Sequence, residues 1–206
     1  MEKIEESAQY LKGCASIETQ TFKLYEILAQ KINHPESSFI LGFAYDSIKN
    51  AKIIQSMLQS IDLPDEDNEN KKTVSLLASE VNAFSKSIEK TNNIDQKSLI
   101  EIFKELVRLE DHISKLYSEF TDSSYPKVLA EEMARFFTMD YGNFKKVFEG
   151  FIAEKQSHRE TMIEIIYCVG AKEAERDKNA TPTVKYQNPD AWINTSSLNM
   201  FSRSSY

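Results

Sequence analysis

Apolar residues recur every three or four positions in the first segment of the chain, and an acidic residue interrupts the middle of that stripe. The stripe over residues 4–32 consists of Ile4, Ala8, Leu11, Ala15, Glu18, Phe22, Tyr25, Ala29 and Ile32. This spacing is typical of one buried face of an α-helix. Glu18 therefore lies where an apolar side chain is expected. A buried carboxylate requires a cation, a metal or a strong hydrogen-bond donor beside it.

The same periodicity predicts four further helical segments, three of which also carry an acid on the apolar face. The second begins near Pro35-Glu36, since proline is favoured in a first helical turn, and ends at Leu63-Pro64. The third covers Val74 to Ile88, the fourth about 95–121 and the last about 127–172. The stripes with acids are Phe39, Phe43, Asp46, Asn50, Ile53, Met57 and Ile61; Leu99, Phe103, Leu106, Glu110, Ile113, Tyr117 and Phe120; and Phe144, Val147, Phe151, Glu154, His158, Met162 and Ile165.

Glycines and a change of composition divide the end of the chain. Gly142 and Gly150 predict a kink or break in the last stretch, and its upstream part, 128–137, is either continuous with it or a separate short helix. Toward the C-terminus the composition shifts to Asn, Ser, Thr and Pro, which is typical of an extended or disordered segment. We therefore predict a helical domain over 1–173 and a polar tail over 174–206, either extended or docked on the bundle or on a partner.

Composition and charge exclude several classes of function. Hydrophobic residues make up 41% and charged residues 28% of the 206 residues, and only 5 Gly and 5 Pro favour long helices. The net charge of −7 argues against binding to nucleic acids and anionic membranes, which need basic patches. No stretch of about twenty apolar residues predicts a membrane span, and the charged N-terminus lacks a signal-peptide core. Cys14 and Cys168 are expected to be buried, reduced thiols, so we predict a cytoplasmic protein.

Two pairs of short sequences reveal an internal repeat. ETQTFKLY over 18–25 and EDHISKLY over 110–117 share the pattern E-x-x-x-x-K-L-Y. FAYDSIKN over 43–50 and FIAEKQSH over 151–158 both place an acid three residues after an aromatic and a second polar residue four later. Each half is therefore a helix hairpin, and two hairpins predict an all-α four-helix bundle. The segment 71–90 is then an extra crossover helix between the halves.

The repeat over residues 4–172 resembles the ferritin-like superfamily, which includes rubrerythrins and di-iron carboxylate proteins. The resemblance implies one Glu from the first helix of each half and a Glu-x-x-His from the second, because residues at i and i+3 share one helix face. These six ligands would hold two metals in the bundle core. Glu18 and Glu110 match the single glutamates, and His158 matches one histidine. Rubrerythrins also carry a four-cysteine iron domain, which a chain with two cysteines cannot form.

Three positions depart from the pattern that the resemblance implies. Asn50 replaces the other histidine, while Ser47 and Lys155 replace the two glutamates that precede the histidines. An ammonium at this place repels metal ions and can pair with the glutamates. Our hypothesis is that a buried ion-pair network replaces the metal centre, formed by Lys155, His158, Glu18, Glu110 and Glu154. The alternative is a shifted or single-metal site for iron or manganese, in which Asp46 and Glu154 join Glu18, Glu110 and His158.

Two functions remain open at this point. The first is a non-catalytic ferritin-like protein with a degenerate di-metal centre and no cofactor, which acts as a structural or interaction module through oligomer contacts or its tail. The second is a di-metal oxidoreductase or an iron-handling protein. The resemblance implies a homo-oligomer, with a dimer as its simplest form. We expect Tyr25 and Tyr117 to be core tyrosines with hydrogen-bonded hydroxyls.

Overall fold

The computed structural model describes residues 2–32, 35–61, 72–92, 94–135 and 140–180. The described residues form six helices: α1 (Glu2–Lys31), α2 (Ser37–Gln59), α3 (Lys72–Lys90), α4 (Gln96–Asp122), α5 (Tyr125–Met133) and α6 (Tyr141–Ala180). The prediction of an all-α protein with a long last helix is confirmed. The polar break at His34, the acidic loop after Pro64 and the C-terminal tail beyond residue 180 lie outside the described residues.

The last predicted stretch contains two helices. The short helix α5 is separate, and it has a proline in its first turn. Gly142 lies at the start of α6, so the break precedes it, whereas Gly150 lies inside a continuous helix. The chain's contacts cluster into one unit over Met1–Ala171 and a second over Lys172–Tyr206. The polar site described below lies entirely within the first unit.

Helices α1 and α4 run in opposite directions. Near the start of α1, the ring of Tyr10 stacks on Phe120, close to the end of α4, with 5.6 Å between centroids. Near the end of α1, the hydroxyl of Tyr25 donates to Glu110, which lies a few turns earlier in α4. The contacts follow reversed order along the two helices. This reversal brings the middle of α1 beside the middle of α4.

Helices α2 and α6 are also antiparallel. Phe43 of α2 lies against His158 of α6, and Asn50, two turns further along α2, donates to Glu154, one turn earlier in α6. Helix α3 packs against α1 and runs in the same direction, since Val74 lies beside Gly13 while Glu89 lies near the end of α1. The residues of α1, α2, α4 and α6 thereby surround one polar cluster.

The buried face of α2 is rotated relative to the predicted stripe. Phe39 is 53% exposed, whereas Ile40 is fully buried. The buried residues of α2 are Ile40, Phe43, Ala44, Ser47, Asn50, Ala51, Ile54 and Met57. The prediction is confirmed for Phe43, Asn50 and Met57. It was wrong for Phe39, while Asp46 and Ile53 lie partly buried at the edge of the face, because a spacing of three and four fits two neighbouring faces of one helix.

Helix α6 buries five of the seven residues of its predicted stripe, all but Val147 and Glu154. Phe148 and Lys155 are fully buried, whereas Val147 and Glu154 are only partly buried. The prediction that Glu154 lies on the buried face was therefore wrong, and its neighbour Lys155 takes that place.

Cys14 is buried as predicted, but Cys168 is exposed, so the prediction of two buried thiols was half wrong. None of the helices in the described part combines the length and the apolar composition that a membrane span requires.

The close contact between α1 and α3 depends on Gly13. A Cβ atom added at Gly13 would lie 2.2 Å from Cγ1 and 3.3 Å from Cβ of Val74. Valine is β-branched and holds one rotamer in a helix, so it cannot move aside without a backbone shift. A glycine at this position therefore sets the distance between α1 and the helix that links the two halves.

We expect Gly13→Ala to lower the free energy of unfolding. The steric conflict costs about 1–3 kcal/mol and exceeds the gain of about 1 kcal/mol from replacing a helical glycine. Gly150→Ala is the matched control, because a Cβ there meets nothing within 4 Å; it should stabilise the protein by about 1 kcal/mol. Urea unfolding measures both, and equal effects of the two variants would contradict the packing argument.

Candidate functional site

A single buried ammonium lies between two buried carboxylates. The Nζ atom of Lys155 lies 3.0 Å from Oε2 of Glu18 and 3.5 Å from Oε2 of Glu110, and all three side chains are fully buried. It also donates to Oγ of Ser47 at 3.4 Å. Helices α1, α2, α4 and α6 thus each contribute one residue to this contact. An isolated charge would be very costly here, so the ammonium and the carboxylates depend on one another for burial.

Two tyrosines hold the outer oxygens of these carboxylates. Tyr117 donates to Oε1 of Glu18 at 2.7 Å, and Tyr25 donates to Oε1 of Glu110. The prediction of core tyrosines with bonded hydroxyls is confirmed. Each tyrosine donates to the glutamate of the other repeat, so hydrogen bonds run in both directions between the two E-x-x-x-x-K-L-Y sequences. The repeat in the sequence therefore becomes a reciprocal pair of hydrogen bonds between α1 and α4.

His158 joins this centre to the protein surface. Its Nδ1 atom lies 3.4 Å from Oε1 of Glu110, and its Nε2 atom lies 3.1 Å from Oδ2 of Asp46. Its ring packs on Phe43 with 4.2 Å between centroids. Both ring nitrogens face carboxylate oxygens, an arrangement in which the imidazolium form can donate to both. The predicted partners Glu110 and His158 are therefore brought together.

Asp46 and Glu154 lie at the outer edge of the cluster. Nζ of Lys49 lies 2.9 Å from Oδ1 of Asp46 and also pairs with Glu154. Asn50 is fully buried and donates from Nδ2 to Oε1 of Glu154 at 2.7 Å. The side chain of Glu154 is 22% exposed, so it does not belong to the buried ion-pair network predicted from the sequence. Lys49 is not among the site residues predicted from the sequence, although its i, i+3 spacing from Asp46 places the two side chains on the same helix face.

The paired charges shift the ionisation of the buried groups. Burial alone would lower the pKa of Lys155, but the charges of Glu110 and Glu18 outweigh it and hold that pKa above its usual value. Burial alone would raise the pKa of Glu110, but the charge of Lys155 and the contact with His158 hold it below its usual value. Burial and the negative charges of the glutamates raise the pKa of Tyr25 and of Tyr117. The folded centre therefore favours a charged lysine, a charged Glu110 and neutral tyrosines.

The residues at this centre do not fit the six-ligand set that the resemblance implies. Ser47 and Lys155 are both buried, at the positions that resemblance assigns to glutamates. The ammonium of Lys155 contacts oxygens of both Glu18 and Glu110, the two glutamates that would hold metal ions in that set. Among the residues that the structure describes, no group of three or more His, Cys, Asp or Glu side chains is placed to hold a metal ion. The centre is therefore built as an ion-pair cluster.

Comparison with known proteins adds no assignment to this geometry. No protein-family model, curated protein or solved structure matches the chain. The function has to be inferred from the side chains themselves.

We expect Lys155→Met to lower the free energy of unfolding by about 3–5 kcal/mol, because it leaves two buried carboxylates without a cation. Lys49→Met is the matched control: its ammonium also pairs with two carboxylates but is 48% exposed, so it should cost less than about 1 kcal/mol. Chemical denaturation measures both. A triple variant with Glu18→Gln, Glu110→Gln and Lys155→Met should recover part of the loss. Equal losses for the two lysine variants would contradict the pairing.

The lowered pKa of Glu110 predicts a loss of stability in acid. The unfolded chain takes up a proton near the ordinary pKa of 4.5, while the folded chain does so only at lower pH. Protons therefore bind the unfolded state first, and the free energy of unfolding falls as the pH drops below that value. Glu110→Gln should reduce this slope, whatever its effect at neutral pH. Urea midpoints between neutral pH and acid measure it, and an unchanged slope in the variant would contradict the assignment.

Proposed function

We propose that this chain is a ferritin-like protein in which an ion-pair cluster replaces the di-metal centre, and that its role is structural or interactive and not catalytic. The observation that carries the proposal is the position of Lys155, whose ammonium lies 3.0 Å and 3.5 Å from the two glutamates. A tethered cation at this point supplies the positive charge that metals would supply to Glu18 and Glu110.

The arrangement of the helices supports the ferritin-like part of the proposal. Ser47 with Asn50 on α2, and Lys155 with His158 on α6, form two buried i, i+3 pairs. Lys155 contacts Glu18 of α1 and Glu110 of α4, and His158 contacts Glu110. The reversed helix directions and the exchanged tyrosine–glutamate bonds agree with two related hairpins. Helix α4 is antiparallel to α6, since Phe120 lies against Phe144 while Glu110 lies near His158. Helices α2 and α4 are therefore parallel, and α3 runs in the opposite direction between them, as a crossover does.

The chemistry of the centre supports a non-catalytic role. A protonated lysine is not a nucleophile, and a carboxylate paired with an ammonium and a tyrosine hydroxyl is a weak base. Both carboxylates of the centre are engaged by charged or hydroxyl groups of the chain itself, Glu18 by Lys155 and Tyr117 and Glu110 by Lys155 and Tyr25. The alternative, a metal-dependent oxidoreductase or iron-handling protein that uses Glu18, Glu110, Glu154, His158 and Asp46, would require Lys155 and Lys49 to leave their partners.

Metal titration tests the proposal. We expect the purified chain to take up neither Fe²⁺ nor Mn²⁺ in calorimetry, and to contain no stoichiometric metal. A triple variant with Ser47→Glu, Asn50→His and Lys155→Glu restores the six-ligand pattern and should bind metal. The matched control keeps Lys155 and carries only Ser47→Glu and Asn50→His; it should not bind, because the ammonium remains between the glutamates.

Stoichiometric metal in the wild-type chain, lost in a Glu18→Ala, Glu110→Ala double variant, would overturn the proposal in favour of the metal-dependent alternative. A triple variant that folds and binds no metal would contradict the ferritin-like relationship. Circular dichroism and thermal unfolding establish that each variant is folded before it is titrated.

A further inference from the structure

A groove of about 520 Å³ lies between α3 and α4. Its apolar residues are Leu76 and Leu77 of α3 and Leu116 of α4. Leu77 and Leu116 are buried, whereas Leu76 is 61% exposed beside them. Sites for small molecules are typically about 300–1,000 Å³ in volume and combine an apolar surface with a few polar groups. The groove therefore has the size and the apolar lining of a ligand site.

The cations beside the groove are already paired with carboxylates of the chain. Arg108 of α4 donates to Glu80, which lines the groove from α3, and it also pairs with Glu105. Lys115 lines the groove as well, but its Nζ atom lies 2.6 Å from Oδ2 of Asp111. An anionic ligand would have to compete with these carboxylates for either cation. The groove is therefore poorly suited to an anion.

The opposite end of the groove carries a carboxylate that has no such partner. Glu119 is exposed, lines the groove and forms no ion pair with any residue in the described part of the chain. It follows His112, whose Nδ1 atom lies 3.6 Å from Oε2 of Glu80, by seven residues, so about 10 Å separates the two ends at 1.5 Å per helical residue. The net charge of −7 also favours the approach of cations. Charge complementarity therefore selects a cation at the Glu119 end.

We propose that the groove between α3 and α4 binds a small amphipathic cation, in which an alkyl chain carries one terminal ammonium group. The alkyl chain lies along Leu76, Leu77 and Leu116, and the ammonium group pairs with Glu119. The apolar contact supplies affinity because it removes surface of the ligand and of the leucines from water. The ion pair determines which sign of charge is preferred. The groove shares no residue with the ion-pair centre, so this proposal does not depend on the proposed function.

Three ligands of equal chain length test the proposal: n-octylammonium, 1-octanol and octanoate, which are cationic, neutral and anionic. NMR titrations that follow the leucine methyl signals report the place of binding and the dissociation constant together. We expect n-octylammonium to shift the signals of Leu76, Leu77 and Leu116. It should bind about fivefold more tightly than 1-octanol, because two opposite charges about 4 Å apart in water gain about 1 kcal/mol. Octanoate should bind more weakly than 1-octanol.

Four variants separate the charge from the apolar contact. Glu119→Gln should abolish the preference for n-octylammonium and leave the binding of 1-octanol unchanged. Glu164→Gln is its matched control, because Glu164 of α6 is also exposed and its replacement changes the net charge equally; it should keep the preference. Leu76→Gln should weaken the binding of all three ligands. Leu41→Gln, which replaces an exposed leucine of α2, should weaken none of them.

Three results would each overturn the proposed site. They are equal binding of n-octylammonium and octanoate, the absence of shifts at the three groove leucines, and a preference for the cation that survives Glu119→Gln. All four substituted positions are exposed, so the variants should unfold at the wild-type temperature. Metal uptake by the wild-type chain would refute the proposed ion-pair centre and leave the groove standing, whereas a failed alkyl titration would refute the groove alone.

Discussion

One ammonium group determines how the central helices can come together. Glu18 and Glu110 lie in the middle of α1 and α4, on faces that are otherwise apolar, and neither can be buried without a cation. Lys155 of α6 provides one cation for both. If α6 were displaced along its axis by one turn, three charges would lose their partners at once. Such a centre adds little net stability, but it makes misaligned packings of these helices far less favourable.

The exchanged tyrosine bonds extend this constraint to the internal repeat. Tyr25 and Tyr117 each reach across to the glutamate of the other half, so neither half can satisfy its own carboxylate alone. The oxygens that do not face Lys155 are thereby bonded as well. His158 and Asp46 continue the chain of contacts outward to Lys49 and solvent. The exposure of the charged side chains rises from 0% for Lys155 at the centre to 48% for Lys49 at the edge, so solvent screens the outer charges more than the inner ones.

The sequence alone located the polar centre but not its geometry. Glu18 and Glu110 could be predicted because each is the one acid in an apolar stripe, and a buried carboxylate implies a partner. The buried network predicted from the sequence includes both Lys155 and Glu154, but the structure buries Lys155 fully and leaves the side chain of Glu154 22% exposed. Adjacent positions on one helix point in different directions, and only the packing of α6 determines which of them is fully buried. Contacts between helices far apart in the sequence, such as that of Lys49 with Glu154, cannot be predicted from the spacing of residues within one helix.

A covalently attached counter-ion changes what the protein needs from its surroundings. A centre that binds free ions acquires its charge balance through an equilibrium, so its stability follows the concentration of those ions in the cell. Lys155 arrives with the chain during synthesis, and the balance is complete when α6 packs against α1 and α4. Under the proposed function, the charge balance of this centre does not depend on the concentration of a free metal ion. Because Lys155 is part of the chain, it cannot be replaced by another cation, and the positive charge at this centre is fixed by the sequence.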